Sequence, residues 1–209
     1  MTDQIIHIVD DDDAVRQSLE FLLKSAKLSV QTHESAAAFL AALPGLEPAC
    51  VITDVRMPGL SGIDLLKRLK SLGKLVPVIV ITGHGDVPLA VEAMKIGAVE
   101  FLEKPFDDNV LLAAVRAALK RGEKDEKRET ERAEIGNKLA TLSARERQVL
   151  EGLVAGKPNK VIAYDLGISV RTVEVHRARM LERLGTRSTA EAIRLAVMAT
   201  LAVHGRPDP

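Results

Sequence analysis

Tryptophan is absent from the chain, tyrosine and cysteine occur once each, and nowhere do 18 consecutive residues read as apolar. Each scarcity removes a class of function. The single cysteine, Cys50, permits no internal disulfide, so nothing ties the fold to an oxidising compartment. The missing apolar run argues against a membrane-spanning helix, and Met1, Thr2, Asp3 and Gln4 lack the basic start of a secretory signal. A soluble, cytoplasmic protein with no membrane partner is expected. With aromatics at 2%, stacking on nucleic-acid bases is a poor candidate for a binding mode. Net charge is missing too, since 29 basic and 29 acidic residues cancel. Their distribution is not even: residues 1–119 carry 11 basic and 16 acidic side chains, whereas residues 141–209 carry 11 and 7. An acidic site in the first part and an anionic partner for the second are expected.

What is present begins with alternation. Short apolar runs at 5–9, 28–32, 50–54, 76–82 and 99–103 read as strands, and amphipathic stretches that follow each of them read as helices. Ser35 and Ser61 suit helix N-caps, Asp13 suits the cap of the first helix, and Gly73 and Gly97 suit helix ends. Five strands alternating with five helices in about 119 residues is the pattern of a doubly wound parallel sheet, which is flavodoxin-like. In such a sheet ligands bind at the carboxyl ends of the strands.

Polar residues stand at those ends in step. Asp10 and Asp11 follow the first run, Asp54 ends the third, Thr82 ends the fourth and Lys104 follows the fifth. A lone aspartate ending a strand commonly forms a turn or caps a helix, but four equivalent ends carrying such groups point to one site. Converging carboxylates repel one another unless a cation holds them, and oxygen ligands with few protein donors suit Mg2+. Lysine and a hydroxyl beside them suit an oxyanion.

Val9-Asp10-Asp11, Thr53-Asp54-Val55-Arg56-Met57-Pro58-Gly59, Val80-Ile81-Thr82-Gly83-His84-Gly85 and Glu103-Lys104-Pro105-Phe106, in this order, resemble the receiver domain of bacterial two-component response regulators. The resemblance implies that Asp54 accepts a phosphoryl group from a cognate sensor histidine kinase. It implies Mg2+ on Asp10, Asp11 or both, on Asp54 and on the main-chain carbonyl of Arg56. Lys104 would pair with the phosphate across a cis Lys104-Pro105 bond, Thr82 would bond it, and Phe101 would turn inward as a switch. A homodimer on phosphorylation, formed near Val91, Lys95 and Glu100, is also implied, and Arg56 and His84 would tune the lifetime of the acyl phosphate.

Residues 120–134 are nearly all charged with the signs interspersed, and pairs such as Glu123 with Lys127 favour a solvated helix. Beyond it, Ser143 and Glu146 make a capping box, Gly167-Ile168-Ser169 a tight turn, and Val170 to Leu184 a longer helix, together a helix-turn-helix signature. Arg171, Thr172, Glu174, His176, Arg177, Arg179 and Arg183 are expected on its exposed side. A basic helix of this kind suits a major groove and its phosphates. Leu142 to Leu150, with Asn159-Lys160, Thr172-Val173, His176 and Leu184, resembles the LuxR/NarL-type DNA-binding domain. Resemblance and chemistry together put Lys160, Thr172 and Arg179 on phosphates of double-stranded promoter DNA and Glu174, Val175 and Arg177 near base edges, with Arg171 a further DNA-binding residue and RNA polymerase the further partner of an activator. A receiver at 1–120, a helical linker at 121–140 and a four-helix DNA-binding domain at 141–209 follow.

Two rival readings are separated from this one by different features. A phosphatase using Asp54 would place a second carboxylate two residues on as general acid; Arg56 stands there and cannot serve. A switch whose basic helices bind RNA or protein would lack salt-sensitive, sequence-selective duplex binding.

Overall fold

The structure is a computed structural model in which residues 4–74, 76–83 and 87–203 are described, 200–203 by their backbone alone. It divides into two compact units, Met1–Glu126 and Lys127–Pro209. No helix among the described residues is long and apolar enough to cross a membrane.

The first unit alternates β1 (Ile5–Val9), α1 (Asp13–Ser25), β2 (Ser29–His33), α2 (Ala36–Ala42), β3 (Pro48–Asp54), α3 (Gly62–Ser71), β4 (Val78–Thr82), α4 (Val87–Ile96), β5 (Glu100–Glu103) and α5 (Asp108–Ala140), whose later turns belong to the second unit. All pairings are parallel and the strand order is β2-β1-β3-β4-β5, the flavodoxin-like order expected. Alternate residues of the strands feed two cores. Val9, Val51 and Val80 meet Phe39, Leu65 and Leu69 on one face; Ile8, Ile52, Ile79 and Ile81 meet Leu23, Leu111 and Val115 on the other. The order reverses between β1 and β3, so the carboxyl ends of those strands flank the crevice where this fold binds ligands.

Local signals set most boundaries. Ser61 and Asp64 form a complete capping box at α3, and Ser35 caps α2. At α1 the cap is Asp12, not Asp13: Asp12 is extended and its carboxylate accepts from the N–H groups of Ala14 and Val15. Asp13 begins the helix instead, pairing with Arg16 at 2.9 Å, where its charge also complements the helix dipole. Four successive aspartates satisfy the local rule in more than one register.

One buried pair has a measurable consequence. His7 on β1 and His33 on β2 lie with Nδ1 and Nε2 2.9 Å apart beside Phe39. Burial, then the neighbouring His33, lowers the His7 pKa from 6.5 to about 4, and burial lowers His33 as well. Between those two pH values the unfolded chain binds a proton that the folded chain refuses, so stability falls as pH drops from 6.5 towards 4. Taking the receiver from pH 7 to pH 5 is expected to cost about 2 kcal/mol through His7. Urea unfolding at both pH values checks this, and His7→Leu should remove most of that slope.

In the second unit α6 (Ala144–Val154), α7 (Asn159–Leu166), α8 (Val170–Leu184) and α9 (Thr189–Val203) follow. Leu150, Met180, Leu184 and Ala192 form one core, and Val149, Ile162, Ala163 and Val173 another. Gly167 closes α7 at φ 64°, a left-handed turn that lets Ser169 cap α8 three residues on.

Candidate functional site

At the carboxyl ends of the strands two carboxylates converge on one cation. Lys104 Nζ, after β5, lies 3.0 Å from Asp10 Oδ2 and 2.9 Å from Asp54 Oδ1. The Asp10 and Asp54 side chains are 5% and 11% exposed, so neither is well solvated. Burial alone would lower the Lys104 pKa, but the hydrogen bonds to Asp54 and Asp10 outweigh it and hold the ammonium above its ordinary value. The Lys104–Pro105 peptide bond is cis.

The remaining carboxylate oxygens are held from the backbone. Asp10 Oδ1 accepts from the Asp12 N–H at 2.9 Å, and Asp54 Oδ2 accepts from the Arg56 N–H at 2.6 Å. Arg16 donates to the Asp10 carbonyl at 2.7 Å. Asp11 is exposed and faces, with Arg56, a cavity of about 670 Å3 that opens beside α3 and α4. Asp10 is therefore the inward member of the acidic run and Asp11 the outward one.

Thr82 ends β4 fully buried, and its carbonyl accepts from the Lys104 N–H at 2.7 Å. Phe101 pairs in register with Val80 and is half-buried against the core that includes α3 and α4. His84 lies outside the described residues.

Does this donor set fit a hard cation? Among the described residues no three His, Cys, Asp or Glu side chains converge. Two buried carboxylates already share a positively charged group, and every donor is oxygen. A partial oxygen shell suits an ion that keeps waters, as Mg2+ does. The residues fit.

One residue that sequence reasoning misses belongs to the site. Gly62, the first residue of α3, donates its N–H to the Val55 carbonyl at 3.1 Å. A Cβ on it would lie 3.0 Å from both the Asp54 carbonyl carbon and Thr53 Oγ1, and closer still to the Asp54 carbonyl oxygen. A glycine at a helix start has no local signature of such an approach.

In the second unit α8 carries Arg171, Glu174, Val175 and Arg179 exposed along one side, and Lys160 is exposed on α7. Thr172, His176 and Arg177 are half-buried rather than on the exposed side. The reason is helical period: Val173, Met180 and Leu184 make the buried stripe, and residues 176 and 177 lie between its members. The Thr172 hydroxyl is 2.8 Å from that of Ser169. Arg183 donates to the Thr141 carbonyl at 2.9 Å and lies 3.4 Å from buried Glu146.

Comparison with known proteins agrees with both units. The family described as "Response regulator receiver domain" matches residues 6–116, and "Bacterial regulatory proteins, luxR family" matches residues 140–196. The transcriptional regulatory protein FixJ of Azorhizobium caulinodans is 58% identical over 197 residues, 94% of this chain and 93% of its own. Among solved structures, full-length FixJ from B. japonicum is 51% identical with a TM-score of 0.59, covering 96% of this chain and 99% of its own. The response regulator StyR is 40% identical with a TM-score of 0.76, covering 92% and 98%. A receiver domain followed by a luxR-family domain thus recurs across whole chains. This chain belongs to the two-component response regulators in which a receiver domain precedes a luxR-family DNA-binding domain.

Proposed function

We propose that Asp54 is the phospho-acceptor of a phosphorylation-switched transcription activator. The observation that carries this reading is the Lys104 ammonium shared between Asp10 and Asp54 at the strand ends. An Asp54 carboxylate oxygen attacks the phosphorus of a phosphohistidine on the sensor kinase; the P–O bond forms, the P–N bond breaks, and the imidazole leaves with a proton from solvent. Lys104 then follows the new phosphoryl oxygens, and the Thr82 hydroxyl at the end of β4 donates to them. Asp10, Asp11 or both, with Asp54 and the main-chain carbonyl of Arg56, would hold Mg2+, which would supply charge neutralisation on the transferred group. No other group on the chain has to turn over a substrate, so the protein is a switch that takes part in its own phosphorylation.

Phe101, half-buried, turns further inward behind Thr82 on phosphorylation and repacks α4 and β5. Val87, Val91 and Met94 on α4 expose 73%, 46% and 49% of their surface at one-turn spacing, which supports a homodimer formed there on phosphorylation. In functional terms residues 1–120 are the receiver, 121–140 the linker and 141–209 the DNA-binding domain. Lys160, Thr172 and Arg179 hold phosphates of double-stranded promoter DNA, Glu174, Val175 and Arg177 lie near base edges, and Arg171 is a further DNA-binding residue. The half-burial of Arg177 makes it the member that must extend most to reach a base. RNA polymerase is the partner of the bound dimer, the compartment is the cytoplasm, and similarity to FixJ supports nitrogen-fixation genes as targets.

The test is sedimentation and duplex-DNA binding before and after acetyl phosphate with Mg2+, beside Asp54→Asn. The native chain is expected to dimerise and bind DNA at least about tenfold tighter, a gain of roughly 1.4 kcal/mol. Asp54→Asn should do neither. Equal DNA binding with and without acetyl phosphate in both proteins would sink the reading.

A further inference from the structure

We infer that the groove between α3 and α4 is a docking site for an acidic amphipathic helix of a partner protein. The groove encloses about 770 Å3 and lies beside the acceptor cavity, with the Lys67–Glu92 ion pair, 2.7 Å long, lining both. Its floor is apolar: Pro88, Val91 and Ile96. Its rim is basic. Lys70 from α3 and Lys95 from α4 face each other across it, both exposed and neither in an ion pair among the described residues. Glu92 is the one acidic lining residue, and Lys67 already neutralises it. Towards the other end of the sheet the groove continues, through Lys70 and Ile96, into a smaller pocket of about 170 Å3 edged by Lys74 and by the Arg121–Asp125 pair, 3.8 Å apart.

Charge complementarity selects the occupant. Apolar side chains at i, i+4 and i+7 of an incoming helix would cover Val91 and Ile96, and Asp or Glu on its flanks would meet Lys70, Lys74 and Lys95. A second copy joined by a two-fold axis would press this lysine rim against itself, which like charges disfavour. Duplex DNA would set phosphates over an apolar floor and beside Glu92. The groove shares Val91 and Lys95 on α4 with the dimer face proposed above, so a docked helix and a second copy compete for that helix, whereas Lys70 and Lys74 on the α3 side belong to the groove alone.

The probe is a fluorescein-labelled helical peptide with leucines along one face and glutamates along the other, titrated with the full chain and read by fluorescence anisotropy. Saturable binding is expected that weakens with added salt. The double variant Lys70→Glu/Lys74→Glu should lose at least about tenfold in affinity, equivalent to roughly 1.4 kcal/mol. Lys95→Glu, from the opposite wall, should weaken binding in the same direction. A peptide of identical composition with its leucines scattered should bind far less, because only the amphipathic arrangement covers the floor. Circular dichroism of both variants and DNA binding of Lys70→Glu/Lys74→Glu should match the native chain, since all three lysines are exposed and Lys70 and Lys74 lie outside the dimer face. Equal peptide affinity for the native chain and the variants would overturn the inference and assign the peptide to the basic helices of the DNA-binding unit. Absence of binding would overturn it too. So would competition by duplex DNA at the same residues, or a change in sedimentation of the peptide-free Lys70→Glu/Lys74→Glu variant, which would give the groove to DNA or to a second copy.

Discussion

Gly62→Ala is expected to destabilise the receiver by about 3 kcal/mol, near the upper end for overpacking a rigid site, and to slow phosphorylation of Asp54 by about 100-fold. Intrinsic propensity points the other way, since alanine is better than glycine in a helix by roughly 1 kcal/mol. Two features reverse the sign. The added Cβ would press on the carbonyl of Asp54 and on Thr53 Oγ1, and both belong to a strand that is buried along its last residues. The Gly62 N–H is also bonded to the Val55 carbonyl, so the first turn of α3 cannot swing away without breaking that bond and disturbing the Ser61–Asp64 capping box. Either α3 or the end of β3 must move, and the second choice displaces Asp54 itself. Thermal unfolding followed by circular dichroism should show the midpoint lowered by about 10 °C. Acetyl phosphate labelling of Asp54 reads the second effect. A variant with the native midpoint and labelling rate would show that the close approach carries no consequence.

Glu146→Ala is expected to cost the DNA-binding unit about 3 kcal/mol, combining a lost cap with an unpaired buried backbone donor and a small cavity. Glu146 is 2% exposed, accepts from the Ser143 N–H at 2.9 Å and completes the capping box of α6. It also lies beside Arg183, which ties α8 to the carbonyl of Thr141. Burial would raise its pKa, but the hydrogen bonds from Ser143, with Arg183 and His176, hold it below the ordinary value. A carboxyl depressed in the folded state stabilises fully above its unfolded pKa, and that contribution disappears as pH falls through the folded value. Glu146→Gln separates the two roles. Glutamine keeps the reciprocal cap and should recover more than half of the lost stability, while the pH dependence assigned to Glu146 should vanish. Equal losses in both variants would place the whole effect in the charge. Denaturant unfolding of the full chain, followed by helical signal and by DNA binding, measures both.

Much of this arrangement is legible one residue after another. Asp54 stands out because an apolar strand run stops there and Pro58-Gly59 follows; the βα alternation then makes Asp10, Thr82 and Lys104 occupants of equivalent strand ends. The capping boxes at Ser61 and Ser143 and the turn at Gly167 are equally local, since each involves atoms within one or two turns. Where four aspartates run together, local rules permit several registers. The helix then begins one residue earlier than a cap at Asp13 would set it, with Asp12 as its cap. The exposed side of α8 is likewise legible only approximately, because Thr172, His176 and Arg177 border the stripe set by Val173 and Met180.

By itself the sequence determined the alternation of strands and helices, the helix-turn-helix, the strand-end residues and, through resemblance, the family. The reason is that side-chain period, turn chemistry and capping are written within about seven residues of chain. Tertiary structure alone decided that Asp10 rather than Asp11 turns inward, since Lys104, 94 residues away, is what draws it in. It alone brought His7 to His33 across neighbouring strands and set Gly62 against Asp54. It alone opened the basic groove between α3 and α4. Each of these depends on distances between segments far apart in the chain, for which periodicity carries no signal.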